Sequence, residues 1–167
     1  FDASSATGKV ALTTVNQTGV ASGTDQSVIG GSANDTLTLS LSTGQDVSVA
    51  GGAGDDTIVH TTLAAADSVD GGTGTDTIST LNAAAIVLDN ATRTTFTNVE
   101  GITITDHFDG SLTTQNIATS INTVSLTLAN AAITDEAETI TGGAGSFTVN
   151  LGNSSTTVDG SVDGALT

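Results

Sequence analysis

Three aspartates recur at one place in a glycine-rich phrase. Asp35, Asp56 and Asp76 each stand sixth in Gly30-Gly31-Ser32-Ala33-Asn34-Asp35, Gly51-Gly52-Ala53-Gly54-Asp55-Asp56 and Gly71-Gly72-Thr73-Gly74-Thr75-Asp76, phrases that begin 21 and 20 residues apart. Glycines can take positive φ and turn successive carbonyl oxygens into one concavity, which β-carbons would block; the aspartate adds a carboxylate to it. Such an all-oxygen donor set suits Ca2+, with its roughly six to eight flexible ligands, better than Zn2+, which prefers nitrogen and sulfur. Two such turns stacked about 4.8 Å apart, the spacing of neighbouring strands, leave room for an ion between them. Gly and Asp are ordinary turn residues as well, but a tight turn alone does not require them to return in phase.

No second chemistry is comparably organised. Asp106-His107-Phe108-Asp109 gathers two acids and a histidine, yet His60 is the sole other histidine and no nucleophile motif accompanies either, so a loop is expected there. A sugar-cleaving β-helix would pair acids amid aromatic and basic residues; this chain has 4 Phe, no Trp or Tyr, and only Lys9 and Arg93 as cations. No catalytic residues are therefore expected. Asp135-Glu136-Ala137-Glu138 is the best further place for an ion, whereas Asp55, Asp159 and Asp163 read as members of a solvated face. Thr-x-Thr pairs (Thr36/Thr38, Thr75/Thr77, Thr103/Thr105) suggest ice binding, but Thr is the commonest polar strand former here, and these pairs do not keep one place in the repeat. The sequons at Asn16, Asn34, Asn90 and Asn153 read as incidental.

With 18 acidic and 2 basic residues the net charge is -16. Two cations cannot build a phosphate-neutralising patch or a basic amphipathic helix, which argues against nucleic acid and anionic membranes as partners. No apolar run is long enough to span a bilayer. Cations are the natural partners. With no Cys, Met, Pro, Trp or Tyr, burial must come from Val, Ile, Leu and Ala, which suits a thin repetitive core, and disulfides cannot supply rigidity. Because residue 1 is not Met, the 167 residues are expected to be an excerpt or a processed product.

The elements that must position the aspartates follow from the repeat. "DQSVI" (25–29), "DVSVA" (46–50), "DSVDGG" (67–72) and "ETITGG" (138–143) precede the glycines, so each unit reads as short alternating strand, glycine turn, short alternating strand. A coil of about twenty residues holds two such halves, which is a solenoid-like period. Gly142-Gly143-Ala144-Gly145-Ser146-Phe147 is a decayed copy with Phe147 where the acid belongs. Between residues 80 and 137 the glycine pairs vanish, but strands are predicted over Ala85–Leu88, Thr97–Thr105 and Ile121–Leu128, continuing the same solenoid without metal-type turns. Helix is sparse at best: Ala64–Ala66 and Ala83–Ala85 are too short to nucleate one. The expectation is an all-β, right-handed parallel β-solenoid spanning 1–167 as one segment, with recognisable coils over 21–80, motif-poor coils over 81–132 and a degenerate coil and tail over 133–167.

The phrases resemble the nonapeptide of RTX (repeats-in-toxin) proteins, GGxGxDxUx with U a large apolar residue. Gly51 to Val59 and Gly71 to Ser79 match every fixed position, and Gly30 to Thr38 departs only at Ala33. The resemblance implies that Asp35, Asp56 and Asp76 supply side-chain ligands to Ca2+, with backbone oxygens from Gly30, Gly31, Gly51, Gly52, Gly54, Gly71, Gly72 and Gly74, and that Leu37, Ile58 and Ile78 point into the core. Since only alternate halves keep the glycines, one row of ions is expected, with strong sites between coils 30/51 and 51/71. The Thr/Ala/Gly/Val-rich filler and "TNVEGITIT" are similar to RTX-type bacterial S-layer proteins of the Caulobacter kind and to large secreted adhesins. That resemblance implies a non-enzymatic, extracellular, self-assembling component of a surface layer, filament or matrix, exported by type I secretion, with calcium ions, copies of itself and a cell-surface polysaccharide as partners. The alternatives are the C-terminal RTX module of a secreted enzyme and an adhesin stalk. Without the ion a charge of -16 on a small-residue core should keep the chain largely disordered, and external Ca2+ should fold it by linkage.

Overall fold

A computed structural model describes residues 1–14, 26–40, 45–62, 66–81, 84–85, 95–106, 108, 111–126, 139–143 and 148–151. The period-2 runs of Val, Ile and Leu against Thr and Ser form short strands. They are β1 (Ala11–Thr13), β2 (Gln26–Ile29), β3 (Thr36–Leu39), β4 (Val47–Ala53), β5 (Thr57–His60), β6 (Ser68–Thr73), β7 (Thr77–Thr80), β8 (Phe96–Thr97), β9 (Gly101–Ile104), β10 (Ser111–Thr113), β11 (Thr123–Leu126), β12 (Thr139–Thr141) and β13 (Thr148–Leu151). Strands alternate between two sheets, ordered β1-β3-β5-β7-β9-β11-β13 and β2-β4-β6-β8, and a third pairs β10 with β12. The ladders are parallel throughout. The architecture is a parallel β-solenoid.

Register stacks like residues on like. Leu12, Leu37, Ile58, Ile78, Ile102, Val124 and Val149 are successive partners along the long sheet. Val28, Val49, Val69 and Phe96 do the same on the facing one. Leu37, Ile58, Ile78, Val69 and Val124 are fully buried, as the alternation requires. The long-sheet column is aliphatic throughout, each coil adding one layer to the one below, whereas the facing column ends in Phe96. The outward positions between them also form columns: Thr36, Thr57 and Thr77 are partners in register, after which Gly101 interrupts and Thr123 and Thr148 resume. Threonine therefore keeps one place in the coil more closely than the Thr-x-Thr pairs suggest.

Two local expectations change. Thr97–Thr105 is not one strand: Asn98 takes φ 52 and breaks it into β8 and β9, which belong to different sheets. Asparagine tolerates the left-handed region better than other non-glycine residues, so it can turn a corner where the glycines are missing. Ala85 lies in a helical turn, its N–H donating to Leu81 O at 3.0 Å, rather than opening a strand; residues 86–88 lie outside the described ones. One turn of helix, α1 (Thr114–Ile117), follows β10 and buries Thr114 and Ile117. The tail from 152, the acids at 135, 136 and 138, His107, Asp109, Arg93 and Phe147 also lie outside the described residues.

Ile58, wholly buried in the middle of its column, should be the costlier of two neighbouring truncations. Ile58→Ala is expected to lose about 2–5 kcal/mol, whereas Thr57→Ala, on the outward face, should stay within about 1 kcal/mol. Denaturant melts at fixed calcium concentration measure the difference, and equal losses would contradict the register.

Candidate metal centre

The glycine phrases form the corner between the two sheets. Gly52 and Gly54 take φ of 111° and 109°, and Gly72 and Gly74 take 101° and 137°, conformations that L side chains avoid. The coils lie so close at this corner that a β-carbon on Gly52, Gly72 or Gly74 would strike the carbonyl oxygen of Gly31, Gly52 or Gly54 respectively. At the first glycine of each phrase the space a β-carbon would take is lined by two oxygens, one from the aspartate of the same phrase and one a main-chain carbonyl of the next coil. Around Gly51 these are Asp56 Oδ2 and Gly71 O; around Gly71, Asp76 Oδ2 and Asn98 O; around Gly30, Asp35 Oδ2 and Gly51 O.

The three aspartates are nonetheless occupied on one side. Asp35 Oδ1 accepts the N–H of Val10 at 2.7 Å, Asp56 Oδ1 that of Asp35 at 2.7 Å, and Asp76 Oδ1 that of Asp56 at 2.7 Å. Glu100 Oε2 completes the series by accepting the N–H of Asp76 at 2.9 Å. Each carboxylate thus reaches back one coil toward the N-terminus. The other oxygens differ. Asp35 Oδ2 accepts the Gly31 N–H at 2.6 Å, whereas Asp56 Oδ2 and Asp76 Oδ2 are buried with no hydrogen-bond partner among the described residues.

Asp55 has its own ladder on the exposed rim. Its N–H donates to Asn34 Oδ1 at 3.0 Å, and its Oδ1 accepts the Thr75 N–H at 2.9 Å. Here the side chains reach forward, toward the C-terminus, so the rim ladder opposes the inner one. Asp55 is therefore a structural acceptor as well as a member of a solvated face.

Burial dominates the electrostatics. It pushes Asp56 up to about 6, with the Asp76, Asp35 and Asp55 charges adding and the Asp35 N–H opposing. Asp76 is raised too, chiefly by burial, with Glu100, Asp55 and Asp70 adding. A carboxylate that is buried, short of a partner and beside like charges favours either a proton or a cation. Among the described residues no three His, Cys, Asp or Glu side chains converge on one point. A cation here would rely on main-chain carbonyls, which the cradles supply in the hard-oxygen chemistry suited to Ca2+.

The other expected positions separate from this corner. His60 stands in an inward column, partner to Leu39, with Nε2 3.8 Å from Asp67 Oδ2. Its Nδ1 accepts the Thr62 N–H at 3.2 Å, and burial lowers its pKa against the opposing pull of Asp67. Asp67 also accepts the Val47 N–H at 2.9 Å. It lies inside because its coil is one residue shorter than the one before, which places Asp67 level with Val47 rather than with Asp46. Gly143 of the decayed copy faces the Gln115 side chain. Glu100 and Asn98 are the site residues that sequence reasoning passed over. The available signal was an acid two residues before an inward isoleucine, as in Asp56-Thr57-Ile58, Asp76-Thr77-Ile78 and Glu100-Gly101-Ile102.

The arrangement defines a parallel β-solenoid with one acid-lined corner. Comparison of the chain with protein-family models, with curated proteins and with solved structures finds no match.

Two outcomes follow from the corner. A carboxyl raised in the folded state stabilises that state while protonated, so the metal-free chain should be most stable near pH 4 and lose stability as pH rises through about 6. Melting temperature in the absence of divalent cations should fall over that interval, less so in Asp56→Asn, and a rise would contradict the burial argument. Asp55→Ala should cost about 1 kcal/mol, the worth of the Thr75 bond, by a similar amount in the calcium-loaded chain at neutral pH and in the metal-free chain near pH 4, as denaturant melts would measure.

Proposed function

We propose that this chain is a calcium-stiffened, non-enzymatic structural segment that works outside the cell, in a bacterial surface layer, filament or matrix. The observation that carries the reading is the pair of buried, unpartnered oxygens, Asp56 Oδ2 and Asp76 Oδ2, set beside main-chain carbonyls of the next coil. Leaving ionised carboxylates in that state is unfavourable, and at neutral pH a divalent cation relieves it while joining two coils. Bound calcium would supply charge neutralisation and a cross-coil link; the residues that would hold it come from the sets Gly51, Gly52, Gly54, Asp56 and Gly71, Gly72, Gly74, Asp76, whereas in the corresponding first-turn set, Gly30, Gly31 and Asp35, both carboxylate oxygens already accept amides. The net charge of -16 favours the same partner, because it opposes compaction until cations offset it.

Calcium at the millimolar levels found outside cells would then couple folding to arrival there. Such a segment can travel unfolded and stiffen at its destination. The resemblance of Gly51 to Val59 and Gly71 to Ser79 to RTX repeats supports the secreted, surface setting. Assembly with further copies of the chain is supported by the strand edges: β1 and β13 end the long sheet with no further partner strand among the described residues.

Calcium titration of the chelator-treated chain, followed by far-UV circular dichroism, tests the reading. Strand signal should rise cooperatively with Ca2+ and collapse again with chelator, and electron microscopy should show ordered assemblies only with the ion. Asp56→Ala should move the transition to at least tenfold higher Ca2+, well beyond any shift from Asp55→Ala. Strand content indifferent to calcium would sink the proposal.

A further inference from the structure

We propose that the cation row is displaced one coil toward the C-terminus from where the glycine phrases alone put it: ions at the Asp56 and Asp76 corners, and none at Asp35. This assignment rests on the calcium reading above. It makes the Glu100 coil, which has no glycine pair, the closing wall of a site, and removes the first phrase from the binding set.

One residue sets the first phrase apart, Ala33. It replaces the glycine that in the next two phrases is Gly54, with φ 109°, and Gly74, with φ 137°. An alanine resists that conformation, and in the first phrase neither Ala33 nor Gly31 takes positive φ. The first turn consequently runs differently from its successors. The Gly31 N–H meets Asp35 Oδ2 at 2.6 Å, and with Val10 N–H on Oδ1 at 2.7 Å both oxygens of Asp35 are satisfied by main-chain donors. A cation at this corner would have to displace an amide already bonded there, and an N–H facing the carboxylate repels a positive ion.

At the next two corners Gly52 and Gly72 are left-handed and no such amide reaches the acid. Asp56 is 1% exposed and Asp76 fully buried, yet the Oδ2 of each has no partner. For Asp76 the companion oxygen is that of Asn98, which stands level with Gly71 because Asp70 pairs with Thr97. Asn98 adopts φ 52, the only non-glycine positive φ among the described residues, and its side-chain Nδ2 donates to Asp70 Oδ1 at 2.7 Å, which pins this corner to the coil before. Glu100 holds the Asp76 N–H, as Asp76 holds that of Asp56, so the carboxylate is positioned alike in both. A turn without the Gly-Gly-x-Gly phrase thus closes a cradle of the same composition as the one between Gly51 and Gly71.

Calcium stoichiometry on the full chain, by isothermal titration with terbium luminescence as a second probe, decides the matter. Asp35→Asn should bind as many ions as the parent, while Asp56→Asn and Asp76→Asn should each bind one fewer. Ala33→Gly should gain an ion, because it restores the residue type that lets the first turn adopt the conformation of the others; this variant keeps the test decisive even where Asp76→Asn fails to fold. Loss of an ion in Asp35→Asn, or full stoichiometry in a folded Asp76→Asn, would overturn the assignment. A parent chain that binds no calcium at all would instead remove the reading on which it rests.

Discussion

One contact recurs over four successive steps of the stack: a carboxylate oxygen receiving the main-chain N–H of the residue level with it one coil earlier. Val10 to Asp35, Asp35 to Asp56, Asp56 to Asp76 and Asp76 to Glu100 span 25, 21, 20 and 24 residues. The coils differ in length, yet the bonds stay at 2.7–2.9 Å. The register of the stack is therefore set at this corner, and the extra residues are accommodated elsewhere in each coil. Without it a slip of one residue would turn every inward isoleucine outward, and the columns of Leu37, Ile58 and Ile78 hold only aliphatic side chains to resist such a slip.

The same contact creates the difficulty that defines the corner chemically. Holding an amide uses one carboxylate oxygen and draws the group out of water, leaving its twin to find a partner among tightly stacked glycines. In the first coil a turned amide provides it; in the next two nothing among the described residues does. Stability and charge are thus coupled through a few buried oxygens rather than through the many acids on the surface, whose mutual repulsion salt can screen.

Much of this was legible in the sequence, for a physical reason: a solenoid repeats one local problem, so its solution repeats in the residues. The columns of Leu37, Ile58 and Ile78, the alternation of the strands and the place of Asp56 and Asp76 all follow from period and pattern. What escaped has the opposite character. Asn98 and Glu100 solve the corner with different residues, a left-handed asparagine for the glycine and a longer acid for the aspartate, and a motif defined by glycine passes over them. Asp67 escaped because a coil shortened by one residue moves it from rim to interior, where it faces His60. Asp55 reads from sequence as a member of a solvated face and is also a rung of the rim ladder, a role that depends on Thr75, a neighbour twenty residues away.

The inner ladder also has a direction. A coil joined on the C-terminal side brings a carboxylate to an amide already waiting, and the coil it joins could not have offered the reverse. Glu100 ends the series because its own N–H turns back to the carbonyl of Asp76 at 2.9 Å. Within this ladder every acceptor faces the N-terminal side, while the rim ladder of Asn34 and Asp55 runs the opposite way. Past Glu100 the stack is continued by main-chain bonds instead, the N–H groups of Asn122 and Thr123 both donating to Glu100 O at 3.0 Å, so the coils beyond it are joined without a carboxylate at this corner.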